Sequence, residues 1–393
     1  MKKNLLHTPE GVRDIYNGEC EEKLYIQNSI HSVIKKYGYH DIQTPSFEFF
    51  DIFNAERGSI ASKNMYKLFD KEGNTLVLRP DMTPQIARCA AKYFEQDTDP
   101  IRLCYVGNTF VNNSRYQGRL KETTQAGCEL INDNSIMADA DMVALLIEAL
   151  LSSGLKEFQV EIGHVGFFKG LVKEAGLSDE VAIELRELIR EKNIFRVEEL
   201  LSEANLSKEE KEGFHRLPQL FGDADILSKA AMLTKDETAL NAIKHLEAVY
   251  ELLKVYGFEK YVTFDLGMLS ELDYYTGIIF QGFTYDVGEP IANGGRYDKL
   301  IGQFGTEKAS IGFAITIDLL HQALKRQKIS VGKKEAIKLL VCDADNMING
   351  VKLAAYFRKQ GINTAISSYE PKNGNGYDEI ICVTPAVVER YGI

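Results

Sequence analysis

Apolar residues at Ile26, Ile30, Val33, Ile34 and Tyr37 recur at intervals of three and four, and Gly38 follows them. That spacing lays one apolar stripe along a helix, and the glycine is a natural stop. A second helix is expected from about Asp141 to Ser152, ahead of Gly154. Between the two lie short apolar runs, among them residues 75–78 and 101–106, which read as strands. Phe158, Val160 and Ile162 alternate with polar residues, as do Val262, Phe264 and Leu266, the period of a half-buried strand.

Residues 167–258 have a different texture, rich in Glu, Lys, Leu and Ala, and predict a helical insertion between two strand-rich halves. Ser207 and Glu210 have the spacing of a capping box. Leu240, Ile243, Leu246, Val249, Leu253 and Tyr256 form a continuous helical stripe that ends at Gly257. After residue 331 a strand (336–342), a helix (346–360) stopped by Gly361 and two strands (363–367 and 379–383) predict a small α/β unit. Strand-rich segments with helices set apart favour an α+β core over a doubly wound sheet. The expected division is a core over residues 1–325, with its insertion at about 167–258, and a small α/β domain over 331–393.

Composition narrows the choice of function. At 393 residues the chain can hold two or three domains, and no apolar run reaches the length of a membrane span. The first nine residues have two lysines but no apolar stretch of signal-peptide length, which points to a cytoplasmic protein. Six cysteines occur with no C-x-x-C pair and none at zinc-ligand spacing with a histidine, so reduced thiols and no metal are expected. The net charge of −11 argues against a nucleic-acid partner. Residues 331–393 have eight Lys/Arg against seven Asp/Glu, so the tail is no basic module either.

Four segments carry candidate chemistry. In Leu78-Arg79-Pro80-Asp81-Met82-Thr83 a strand meets a polar turn with a carboxylate and a hydroxyl two residues apart. The pair suits an ammonium group, and it equally suits a helix N-cap. Gln125, Gly127 and Glu129 share one face of a strand, directed either into a pocket or to solvent. Tyr274 and Tyr275 offer flat walls and hydroxyls to a polar aromatic ligand, or serve only as good strand residues. Gly294 and Gly295, ahead of Arg296-Tyr297-Asp298, permit close backbone approach or positive φ, or make a tight turn before a helix.

Taken together and in this order, the segments resemble the histidyl-tRNA synthetase family, whose fold is that of the class II aminoacyl-tRNA synthetases. Leu272-Asp273-Tyr274-Tyr275-Thr276-Gly277 and Gly294-Gly295-Arg296-Tyr297-Asp298 resemble that family's histidine-specific signatures. The stretch from Tyr37 to Pro45 resembles the first class II motif, the stretch from Tyr105 to Glu129 the second, and the stretch from Gly312 to Leu320 the third. The resemblance spans roughly residues 5–325. It implies that Asp81, Thr83 and Gln125 hold a ligand amine and that Glu129 and Tyr274, with Tyr275 alongside, read an imidazole. Arg119 is left either to meet the carboxylate or to brace the sheet.

Three departures redirect the functional expectation. Where the synthetases carry arginines for ATP and activation, this chain has Val111, Ser270 and Leu319. Adenylate formation concentrates negative charge on the α-phosphate in the transition state, and losing one fixed donor costs about 10²–10³ in rate. A synthetase-like body without these cations resembles the ATP phosphoribosyltransferase regulatory subunit family. That resemblance implies a non-catalytic subunit, without a cofactor, that serves a short-form catalytic subunit in the first step of histidine biosynthesis. It also implies histidine as effector, bound in the pocket or at a subunit interface, and self-association through the class II dimer interface. Residues 331–393 resemble a shortened anticodon-binding domain. The competing readings are a diverged but active histidyl-tRNA synthetase and an amino-acid sensor for an unrelated partner.

Overall fold

The structure is a computed structural model that describes residues 6–53, 60–112, 119–191, 193–204, 206–269, 274–332, 336–373 and 376–392. Ser270 and Leu272-Asp273, named above, lie outside them, as do residues 113–118 of the second class II motif. The chain divides into two compact units, Met1–Val331 and Gly332–Ile393.

The larger unit is organised by a nine-stranded sheet. Its order is His40–Asp41, Ile101–Phe110, Glu122–Ile131, Ser310–Thr316, Ala292–Arg296, Ile278–Thr284, Phe158–His164, Val262–Asp265 and Phe221–Gly222. Neighbours run antiparallel except at two places, His40–Asp41 beside Ile101–Phe110 and Phe158–His164 beside Val262–Asp265. The α+β reading of the sequence agrees with this sheet and its segregated helices.

One face of the sheet is covered by helices. Asn17–Lys36 buries Ile26, Ile30, Val33 and Ile34, and Ile136–Ser152 buries Met142, Leu146 and Leu150 in the same apolar cluster. Truncating such a fully buried leucine, Leu146→Ala for example, costs about 2–5 kcal/mol. The second helix begins at Ile136, five residues before the apolar pattern indicated, because Ser135 caps it by accepting from the Ala138 N–H at 3.1 Å.

The insertion is helical through Val165–Glu174, Asp179–Arg190, Ile194–Glu203, Lys208–Arg216, Asp225–Ala231 and Glu237–Val255. The capping box of Ser207 and Glu210 forms in both directions. The last helix buries Ile243, Leu246, Val249 and Leu253, whereas Leu240 is half-buried and Tyr256 is exposed. The two ends of the predicted stripe therefore overhang the core. The insertion also returns a two-residue strand, Phe221–Gly222, to the sheet edge, which no periodicity marks.

The smaller unit has a parallel three-stranded sheet in the order Asn363–Ser367, Ile337–Val341, Glu379–Cys382, with the helix Met347–Lys359 packed on it through Leu353, Ala354 and Phe357.

Candidate functional site

The open face of the sheet is hollow because glycines occupy the positions where side chains would stand. The strand registers place Glu129, Gly312, Gly295 and Ile279 side by side in one row across four strands. The next row is Gly127, Ala314, Asn293, Gln281 and Glu161. A Cβ added at Gly312 would lie 1.6 Å from Glu129 Oε2, and one at Gly295 would lie 2.7 Å from the Tyr275 ring. Glu129 thus rests over Gly312 and Tyr275 over Gly295. The pair Gly294-Gly295 sits in mid-strand at negative or extended φ, not in a turn before a helix. Its purpose is close approach, and a ring of Phe280 fills the space over Gly294 on the other face.

These rows floor a cavity of about 950 Å³. All seven residues that the sequence singles out, Asp81, Thr83, Arg119, Gln125, Glu129, Tyr274 and Tyr275, line it. Asp81 and Thr83 arrive at the start of the Thr83–Tyr93 helix. The N-cap there is Met82, which makes no side-chain cap bond, and Asp81 Oδ1 accepts from the Thr83 N–H at 3.3 Å. The hydroxyl of Thr83 turns away from the backbone and donates to Glu129 Oε1 at 2.9 Å.

Glu129 is the electrostatic centre. It is 1% exposed, and Tyr297 donates to its Oε2 at 2.5 Å. Burial pushes its pKa up to about 8, with a further push from the nearby charge of Asp81, while the Tyr297 and Thr83 hydrogen bonds pull it partly back. The carboxyl therefore holds its proton near neutral pH. Burial also raises the phenols of Tyr274, Tyr275 and Tyr297, so all three remain hydroxyl donors. Their rings meet edge to face, Tyr274 with Tyr275 at 4.9 Å and Tyr274 with Tyr297 at 5.9 Å. Gln125 Oε1, which lines this space, has no hydrogen-bond partner among the described residues, and neither has the buried Tyr105 Oη that stands over Gly127.

Tyr297 is the residue that sequence reasoning passed over. It stands within the fourth segment, directly after Arg296, but only the register of the sheet brings it to Glu129, 168 positions away. Arg296 itself points to the other face, into a buried ion pair with Asp139 at 2.5 Å that His245 also joins at 2.7 Å.

The remainder of the cavity is acidic. Its wall carries Asp81, Glu129, Glu161, Asp265 and Glu289 against the guanidinium groups of Arg119 and Arg190. Arg119 is paired with Glu289 at 3.2 Å. Where arginines were expected, Val111 is half-buried with its N–H donating to Lys121 O, and Leu319 packs against the apolar core. Ser270, the third such position, is outside the described residues. Arg79 is no substitute: its guanidinium is committed to the carbonyls of Thr44 at 2.8 Å and Asn108 at 2.6 Å. A triphosphate would meet carboxylates here and few cations.

Comparisons with known proteins agree with this geometry. A family model described as histidyl-tRNA synthetase matches residues 11–320. An ATP phosphoribosyltransferase regulatory subunit of Acetivibrio thermocellus is 40% identical over 91% of this chain and 85% of its own length. The protein of the same name from Clostridium novyi is 39% identical over 93% and 88%. A crystal structure from Bacillus halodurans, described as an ATP phosphoribosyltransferase regulatory subunit/histidyl-tRNA synthetase, superposes with a TM-score of 0.88 at 32% identity, covering 98% of this chain and all of the other. A histidyl-tRNA synthetase from a Nostoc species shares the fold, with a TM-score of 0.79 at 21% identity over 95% and 88%. The match to the family model and the identity to these regulatory subunits over most of both chains agree with the fold, and the chain belongs to the ATP phosphoribosyltransferase regulatory subunit family, within the histidyl-tRNA synthetase fold.

Proposed function

We propose that this chain is the non-catalytic partner of a short-form ATP phosphoribosyltransferase catalytic subunit and that it makes the first step of histidine biosynthesis answer to histidine bound in the glycine-floored cavity. The observation that carries the reading is the coexistence of Glu129, Thr83 and Tyr297 as a closed hydrogen-bonded set with Val111 and Leu319 at the vacated arginine positions. One half of the old machinery is retained and the other is dismantled.

In this reading the imidazole of histidine lies between the tyrosine rings and takes the proton of Glu129, which makes an imidazolium–carboxylate pair in a low-dielectric site. The ammonium group is met by Asp81, the Thr83 hydroxyl and Gln125 Oε1; this last atom has no partner among the described residues, which suits an incoming donor. Arg119 leaves Glu289 for the ligand carboxylate. Effector binding then shifts the catalytic partner through a difference in affinity between two states of the assembly. The unit Gly332–Ile393 is a reduced relative of an anticodon-binding domain, and self-association uses the Tyr37-to-Pro45 segment, where Pro45 is exposed.

The test is reconstitution. Adding the chain to the short-form catalytic subunit should restore phosphoribosyl-ATP synthesis, and histidine should then inhibit it. A chain with Glu129→Gln should still restore synthesis but lose the inhibition. Histidine-dependent ATP–pyrophosphate exchange by the chain alone would refute the non-catalytic reading in favour of a diverged synthetase.

A further inference from the structure

On the helix-covered side of the molecule, away from the cavity, three metal-ligating side chains converge that no spacing in the sequence connects. His31 lies on the helix Asn17–Lys36, Asp41 on the short strand His40–Asp41, and Cys104 on the strand Ile101–Phe110. The parallel pairing sets Asp41 directly beside Cys104. Asp41 Oδ1 accepts from the thiol at 3.6 Å and is hydrogen-bonded to His31 Nε2. One ligand atom from each of the three residues lies within 4.8 Å of the other two.

We infer that His31, Asp41 and Cys104 form a zinc site that ties the N-terminal helix to the parallel strand pair. The donor set decides the metal: one imidazole, one carboxylate and one thiolate suit a borderline-soft tetrahedral ion, not the oxygen cages of calcium or magnesium. The geometry is close to what zinc needs. Metal–ligand bonds of about 2.0–2.3 Å put the edges of a tetrahedron at roughly 3.3–3.8 Å, so the widest separation here contracts by about 1 Å on binding. The half-exposed His31 and exposed Asp41 side chains have that freedom, while buried Cys104 is the fixed point. Asp41 lies within the segment proposed above for self-association, and in the single chain its exposed side leaves the fourth position to water. Lys35 holds the other oxygen of Asp41 at 2.8 Å, so Asp41 binds through one oxygen and an ammonium stands beside the ion, which keeps the affinity moderate. On binding, the thiol proton goes to solvent and no redox change occurs.

The probe is cobalt followed by zinc, added to the full-length, chelator-treated chain. One equivalent of cobalt should give the near-ultraviolet thiolate-to-metal band and visible bands of a four-coordinate ion, both bleached by zinc. Cys104→Ala should remove the thiolate band. His31→Ala, a partly exposed position that leaves the core intact, should weaken cobalt binding by roughly 100-fold. Cys382→Ser removes the exposed thiol and should change nothing. Zinc should raise the melting temperature of the wild-type chain and not that of His31→Ala. Absence of the thiolate band in the wild-type chain, or its loss in Cys382→Ser with retention in Cys104→Ala, overturns the assignment.

Discussion

Replacing Glu129 with glutamine is expected to make the folded chain more tolerant of alkaline pH and, through the same change, insensitive to histidine. The Glu129 pKa rises from 4.5 to about 8 on folding. Between those values the folded chain binds a proton that the unfolded chain has released, so the slope of stability with pH is negative. Stability contributed by this group is full on the acid side, falls as pH rises, and is gone once pH passes the folded value. The whole shift is worth something on the order of 5 kcal/mol, of which roughly 2 kcal/mol is lost between about pH 6 and about pH 8. Glutamine does not ionise. Its carbonyl can accept from Tyr297, and its NH₂ can donate to the Thr83 hydroxyl, so no buried polar atom is stranded. His164, whose pKa burial lowers to about 4, works in the opposite sense and is common to both proteins. The variant-minus-wild-type difference therefore isolates Glu129. The assay is urea denaturation of both proteins near pH 6 and near pH 8. The variant should gain roughly 2 kcal/mol on the wild type between the two conditions, while calorimetry shows histidine binding weakened by roughly 100-fold. If both proteins lose stability equally over that interval, the buried carboxyl is not protonated and the account of the site fails.

Histidine affinity should follow a bell in pH, because the bound pair carries a single proton. Above about pH 8 Glu129 has lost it, and below about pH 6 both partners hold one and one must leave; titration calorimetry across this range checks it, and affinity rising steadily to high pH would contradict it. Gly312→Ala places a carbon 1.6 Å from Glu129 Oε2, so histidine binding should vanish while far-ultraviolet circular dichroism stays unchanged. Arg119→Ala removes the solvent-accessible ion pair with Glu289, a kind of pair worth about 0–1 kcal/mol. It should leave the melting temperature nearly unchanged and weaken histidine roughly tenfold through the lost carboxylate contact. Arg296→Met takes from fully buried Asp139 its guanidinium partner and leaves it His245, and denaturant unfolding should show a loss of about 3–5 kcal/mol.

Much of the local structure was legible because its causes are local. The stripe at Ile26, Ile30 and Ile34, the stops at Gly38, Gly257 and Gly361, all at positive φ, and the reciprocal cap of Ser207 and Glu210 each depend on residues within a turn or two. The alternation of Gln125, Gly127 and Glu129 placed them on one face, but not which face was covered. The sequence left Asp81 and Thr83 open between cap and pocket, and Met82 takes the N-cap position. The sequence left the glycine pair at 294–295 open between close approach and a turn, because its need for small residues comes from the rings of Tyr275 and Phe280, which lie outside its own strand.

What the sequence by itself determined was the order of motifs, the elements they sit on and the loss of cations at positions 111, 270 and 319, since identity and spacing suffice for these. The tertiary structure alone decided the partners of Glu129. Thr83 and Tyr297 lie 46 and 168 residues from it, and only sheet register, a long-range property set by packing across many strands, aligns them with one carboxyl. Its proton is likewise a product of burial, which no residue has until the chain has folded around it.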